Sequence, residues 1–135
     1  FPYTTLFRSL RAVLSQVDAG ADVSCMHTHR VVHLDLSLEN MLLDGKNQVK
    51  ICDFGMARQL QPIAVAKSEM ELMRGRPGKI GYMAPEVFEG KAFDGRQADC
   101  FSLGVCLFML LTGLPPFRLP SNSGQFLRTC MNLER

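Results

Sequence analysis

"HLDLSLEN", residues 33–40, sets an aspartate, a serine, a glutamate and an asparagine at intervals between leucines. The flanking sequence says what holds it. Downstream, "MLLDGKNQVKIC" gives two short apolar runs around "DGKN". This predicts a hairpin with strands near 41–43 and 49–52 and with Gly45 available for positive φ. Period-2 alternation places Leu42 on the strand face opposite Met41 and Leu43. Upstream, Leu10, Val13, Leu14, Val17 and Ala21 follow helical spacing. An amphipathic helix is expected from residue 10 to about His27, despite Gly20.

Beyond the hairpin, residues 56–82 show no sustained period and are expected to form a long, exposed connection. "APEVF" at 84–88 can make a short helix with Pro85 in its first turn. "GRQADCFSLGVCLFMLLTG" at 95–113 becomes apolar on nearly every side and is closed by Gly113 and two prolines. A helix of that kind belongs at the centre of a fold. A last, weak helix is expected over about 124–133. The fold class is therefore mainly α, with one short β-hairpin.

The chain has 135 residues, 47% of them hydrophobic, and a formal net charge of +2. That permits one globular unit and gives no reason to expect nucleic acid or an anionic membrane as partner. The longest apolar stretch is about half the roughly 20 residues a membrane-spanning helix needs. Cys25, Cys52, Cys100, Cys106 and Cys130 show no C-x-x-C pairing. They read as reduced thiols of a cytoplasmic protein rather than a disulfide framework or zinc site. His27 and His29 read as a helix end, where cationic side chains suit the dipole. Residues 1–9, "FPYTTLFRS", resemble a translated sequencing-library adapter, so a non-native tail is expected there; the alternative is native coil.

Three further motifs follow the opening one in order: "DFG" at 53–55, "APE" at 84–86 and "DCFSLGV" at 99–105. Together they resemble the C-terminal lobe of a eukaryotic protein kinase of the serine/threonine type, over nearly all of residues 10–135. The resemblance implies ATP and Mg2+ as cofactors and a protein substrate with a serine or threonine acceptor. Phosphoryl transfer needs positioning, charge stabilisation, a proton acceptor and hard oxygen ligands for magnesium. By the resemblance Asp35 is the catalytic base, Asn40 and Asp53 hold the metal, and Leu42 lies beneath the adenine. His33 and Phe54 are expected to stack, Asp99 to bond the backbone of the 33–40 loop, and Glu86 to seek an arginine beyond residue 135. The bland alternative is that Asp35, Asn40 and Asp53 only shape turns.

The sequence departs from the family pattern in two places. Leu34 stands where an arginine is usual, so a phosphate on the activation segment (residues 53–86) has no guanidinium to receive it. Activity without loop phosphorylation is expected; the only hydroxyls in that segment are Ser68 and Tyr82. Ser37 replaces a lysine, and Lys79 stands where a threonine usually precedes the "Y-x-A-P-E" run. The hydroxyl and the ammonium look exchanged. Lys79 is expected to supply the missing catalytic charge with Ser37 as its partner, the competing reading being a solvated loop lysine. Glu39 either meets a basic residue on the substrate or is a plain surface carboxylate. Cys52 is either a reachable thiol or an inert one.

A working kinase also needs a glycine-rich loop, a strand lysine and its glutamate partner. None occurs in these residues, so the chain reads as a truncated kinase domain, inactive by itself. The alternative function is a pseudokinase or signalling scaffold, suggested by Leu34 and Ser37.

Overall fold

The computed structural model describes residues 19–46, 48–61 and 72–117, with backbone alone for 19–22. The expected helix start near residue 10, the tail at 1–9, the helix over 124–133, Ser68 and Cys130 lie outside the described residues.

Helix α1 spans Ala19–Thr28. The chain then turns at Arg30 (φ 60°) into strand β1, Val31–Val32, and enters the 33–40 loop, which ends in a 3-10 turn at Leu38–Asn40. Strands β2 (Met41–Leu43) and β3 (Val49–Ile51) form the predicted antiparallel hairpin, with Met41 opposite Ile51 and Leu43 opposite Val49. Met41 is buried and Leu42 exposed, as the alternation requires. Gly45 does not take up positive φ. The Asp44 side chain does the turning instead, accepting from the N–H groups of Lys46 (2.8 Å) and Gln48 (2.9 Å). These two bonds hold its carboxyl below the usual carboxylate range.

The described parts of the connection, residues 56–61 and 72–82, are more ordered than their sequence suggests. Arg58–Gln59 (β4) pairs antiparallel with β1, and Leu72–Met73 (β5) pairs with Phe93–Asp94 (β6). The described residues therefore hold three two-stranded sheets, not a single hairpin. Two-residue strands carry no period of their own; partners distant in sequence define them. A 3-10 turn at Ile80–Tyr82 and the one-turn helix α2, Pro85–Phe88, close the connection.

Helix α3, Gly95–Thr112, begins at Asp94, whose side chain accepts from Arg96 N–H at 2.9 Å. It ends at Gly113 in the left-handed conformation (φ 76°), where an L side chain is disfavoured. It is not buried all round, contrary to expectation. Ala98, Asp99, Val105, Cys106 and Leu110 face inward, whereas Leu107 and Leu111 are exposed. None of the described helices is long and apolar enough to cross a membrane.

Two buried clusters meet on α3. One joins Val32, Leu34 and Leu60 to Met83, Val87 and Phe93; the other joins Met41 and Tyr82 to Val105 and Cys106. Phe101 packs against both. The first cluster sits under the 33–40 loop, the second under the hairpin.

Candidate active site

The 33–40 loop takes its shape from one buried carboxylate. Asp99, on the first turns of α3 and 1% exposed, accepts from the backbone N–H of His33 (2.8 Å, Oδ2) and of Leu34 (2.7 Å, Oδ1). Two adjacent amides can face one carboxylate only if the chain turns sharply. Leu34 does so with φ 65°, a conformation that costs a leucine on the order of 1 kcal/mol. Its side chain recovers that by burial in the cluster that includes Leu60 and Met83. The position where a kinase usually keeps an arginine is thus an apolar contact between the loop and the connecting segment.

His27 Nε2 lies 3.0 Å from Asp99 Oδ2, a role that the helix-end reading of the sequence missed. The two residues are 72 positions apart, and no spacing rule links them. His33 is fully buried. Its Nδ1 accepts from Asp35 N–H (3.3 Å), so Nε2 carries the proton and donates it to the Cys52 carbonyl (3.1 Å). Its ring meets Phe54 at 5.0 Å between centroids, tilted by 59°. Phe54 remains half exposed.

Asp35 and Asn40 face each other across the loop. Asn40 Nδ2 donates to the Asp35 carbonyl (2.8 Å) and to Asp35 Oδ2 (3.2 Å). Asp35 Oδ1 is buried and, among the described residues, has no hydrogen-bond partner. Asn40 is tied to the next motif through its carbonyl, which accepts from Cys52 N–H at 2.9 Å. Asp53 then turns with φ 61°, and its Oδ1 accepts from Gly55 N–H at 3.3 Å. A Cβ at Gly55 would stand 3.2 Å from that oxygen. Leu42 presents 55% of its surface beside this loop end.

Lys79 reaches the loop from the activation segment. Its Nζ donates to Ser37 Oγ at 2.7 Å and to Asn40 Oδ1 at 3.5 Å. The same ammonium is 3.8 Å from Asp35 Oδ2 and 4.0 Å from Glu39 Oε2. Ser37 is fully buried, Lys79 41% exposed and Glu39 61% exposed. Nearby, burial first and the Glu39 charge second push the Tyr82 hydroxyl up to about 12. Tyr82 is buried, so of the two segment hydroxyls it is not accessible for modification in this fold.

The arrangement gathers Asp35, Ser37, Asn40 and Lys79 into one cluster, with Asp53, next to the Cys52 that bonds Asn40, accepting from Gly55 N–H in its own turn. Asn40 Oδ1 and the Asp53 carboxylate are hard oxygen donors, the type magnesium prefers, and magnesium sites of this sort need only one or two protein oxygens besides phosphate and water. By donor type these two side chains suit a magnesium ion. Among the described residues no group of three or more His, Cys, Asp or Glu forms an all-protein metal cage.

Residues 7–135 match a family model described as a protein kinase domain. Over 92 residues the chain is 44% identical to the probable serine/threonine-protein kinase CCRP1 of Zea mays, covering 68% of this chain and 14% of that protein. It is 42% identical over 104 residues to the serine/threonine-protein kinase SIK1 of Rattus norvegicus, covering 73% and 12%. It is 41% identical over 109 residues to the serine/threonine-protein kinase SRK2C of Arabidopsis thaliana, covering 79% and 30%. The chain thus spans less than a third of the length of these curated relatives.

Proposed function

Because this chain belongs to the protein kinase domain family, we propose that its parent protein transfers the γ-phosphate of ATP to serine or threonine hydroxyls of proteins. The observation that carries this reading is Asp35 Oδ1: buried and, among the described residues, without a hydrogen-bond partner, beside an Oδ2 already engaged by Asn40 and Lys79. Buried polar atoms are almost always satisfied, so an orphan in a well-braced residue marks an acceptor kept for an incoming donor. A substrate hydroxyl is such a donor. Its oxygen bonds to the γ-phosphorus, its proton passes to Asp35, and the bond to the β-phosphate oxygen breaks, releasing ADP.

Asn40 and Asp53 would hold magnesium, which neutralises phosphate charge when bound with the nucleotide. Leu42 offers the apolar floor for the adenine. Lys79, held by Ser37, supplies the cation that the loop itself lacks. Glu39 is exposed enough to meet a basic residue near the acceptor. Four free thiols among the described residues suit an intracellular setting.

The test is phosphate transfer from labelled ATP to serine and threonine peptides by the full-length protein, with Asp35→Asn beside it. Transfer that falls about 10²- to 10⁴-fold in the variant is expected, the range for loss of a general base. A wild-type protein that binds partners but transfers nothing would favour the scaffold reading, and a fully active Asp35→Asn would dismiss Asp35 as base.

A further inference from the structure

Among the described residues, the only cation paired with Asp35 is carried not by the 33–40 loop but by the segment packed over it. That segment comes unusually close just before Lys79. Gly78 adopts φ +90°, and a Cβ built there would lie 2.6 Å from the Leu34 carbonyl oxygen and 3.5 Å from Asp35 Oδ1. The first contact is with backbone, which cannot swing aside. One residue later the chain is placed so that Lys79 Nζ reaches the buried Ser37 hydroxyl. Past Lys79 the segment is anchored on α3: Ser102 Oγ donates to the Tyr82 carbonyl at 2.8 Å, and the Tyr82 side chain is buried against Cys106 and Val105.

We propose that Gly78 is a positioning residue that delivers Lys79 to the site, so that docking of residues 78–82 sets whether the site has its positive charge. The proposal rests on the phosphoryl-transfer reading above and adds its regulation. A lysine built into the loop stays beside Asp35 whatever the segment does. A lysine on the segment leaves with it, and the loop then keeps Asp35 and Glu39 with no counter-charge. Order in the segment and charge in the site become one variable, without any phosphate or arginine. Leu34, apolar and buried in the cluster that also holds Leu60 and Met83, agrees with a segment held by contact rather than by ion pairing.

The experiment compares two backgrounds of the full-length protein: the native pair and the exchanged pair Ser37→Lys with Lys79→Thr. Turnover and ATP KM are measured on one peptide, with hydrogen exchange of residues 78–84 as a second readout. Lys79→Thr alone is expected to lower kcat at least ten-fold with ATP KM little changed, and the exchanged pair to recover most of it. Gly78→Ala is expected to raise exchange across 78–84 in both backgrounds. It should cost at least ten-fold in kcat in the native background and less than about three-fold in the exchanged one. Equal losses in both backgrounds would show that Gly78 acts on the fold and not through the charge, and overturn the proposal. Ser102→Ala, which frees the Tyr82 carbonyl, repeats the comparison should Gly78→Ala not fold. An inactive wild type would remove the underlying reading, whereas an active wild type with no background dependence would remove only this one.

Discussion

Replacing Asp99 by alanine tests whether one carboxylate shapes the whole 33–40 loop. Three donors converge on it: the amides of His33 and Leu34 and the imidazole of His27, at 2.7–3.0 Å. His33 and Leu34 are 0% and 7% exposed, so water cannot take over as acceptor without the loop moving. A buried donor left without a partner costs roughly 1–3 kcal/mol. Two amides alone then give about 2–6 kcal/mol, before counting the left-handed Leu34 backbone, which has lost what stabilises it. Since folded domains are stable by only about 5–15 kcal/mol, the variant should sit near the edge of folding. Asp99→Asn should be nearly as severe, because its single carbonyl oxygen can replace only one of the two acceptors and its amide nitrogen faces an N–H. Urea unfolding of the full-length protein gives the free energy, and site-resolved hydrogen exchange reports the amides of 33 and 34. A loss below about 1 kcal/mol, with both amides still protected, would refute the account.

Leu34→Arg, which restores the residue usual in the family, is expected to destabilise by at least about 2 kcal/mol, since it removes a buried leucine from the cluster that includes Leu60 and Met83 and brings in a charge; an unchanged urea midpoint would contradict this. Gly95→Ala gains helix propensity of at most about 1 kcal/mol but places a Cβ 2.8 Å from Met73 Sδ and 3.0 Å from a methyl of the fully buried Val32. Overpacking of about 1–3 kcal/mol should win, seen as a lower melting temperature. Burial, then the Glu39 charge, pushes the Cys106 thiol up to about 12, as it does the Tyr82 hydroxyl. Iodoacetamide at pH 8 should therefore label the exposed Cys25 and Cys100 and spare Cys106 until the protein unfolds, as peptide mass spectrometry would show. Both groups keep their protons in the fold while the unfolded chain loses them near 9 and 10. The contribution of these two groups to stability should therefore be constant below about pH 9 and be lost as pH rises from 9 to 12, which a pH series of melts over that alkaline range checks.

Local signals were readable where neighbours in sequence are also neighbours in space. The hairpin, the one-turn helix at Pro85 and the stop at Gly113 each depend on residues within a few positions. Residue types at 37 and 79 were readable as a pair only because four motifs fixed the frame around them. The short strands at 58–59 and 72–73 were not readable, because their partners lie at 31–32 and 93–94. Nor was the His27 contact with Asp99. At Gly45 the glycine drew attention, yet the neighbouring aspartate forms the turn. The exposed side of α3 was misjudged for another reason: hydrophobic content says that a face can be buried, not that a partner covers it.

The grip of Asp99 on the loop also dictates a timetable. Its bonds to residues 27, 33 and 34 close spans of 72, 66 and 65 positions, so the loop's amides have nothing to hold them until the first turns of α3 exist. Contacts of such separation are slow to form because chain entropy must be lost before they reward it. On a ribosome, where synthesis proceeds at about 5–20 residues per second, the loop emerges several seconds before the carboxylate that shapes it. The 33–40 loop is therefore expected to be among the last parts of the chain to find its conformation, and a chain that stops before residue 99 lacks the carboxylate that shapes it.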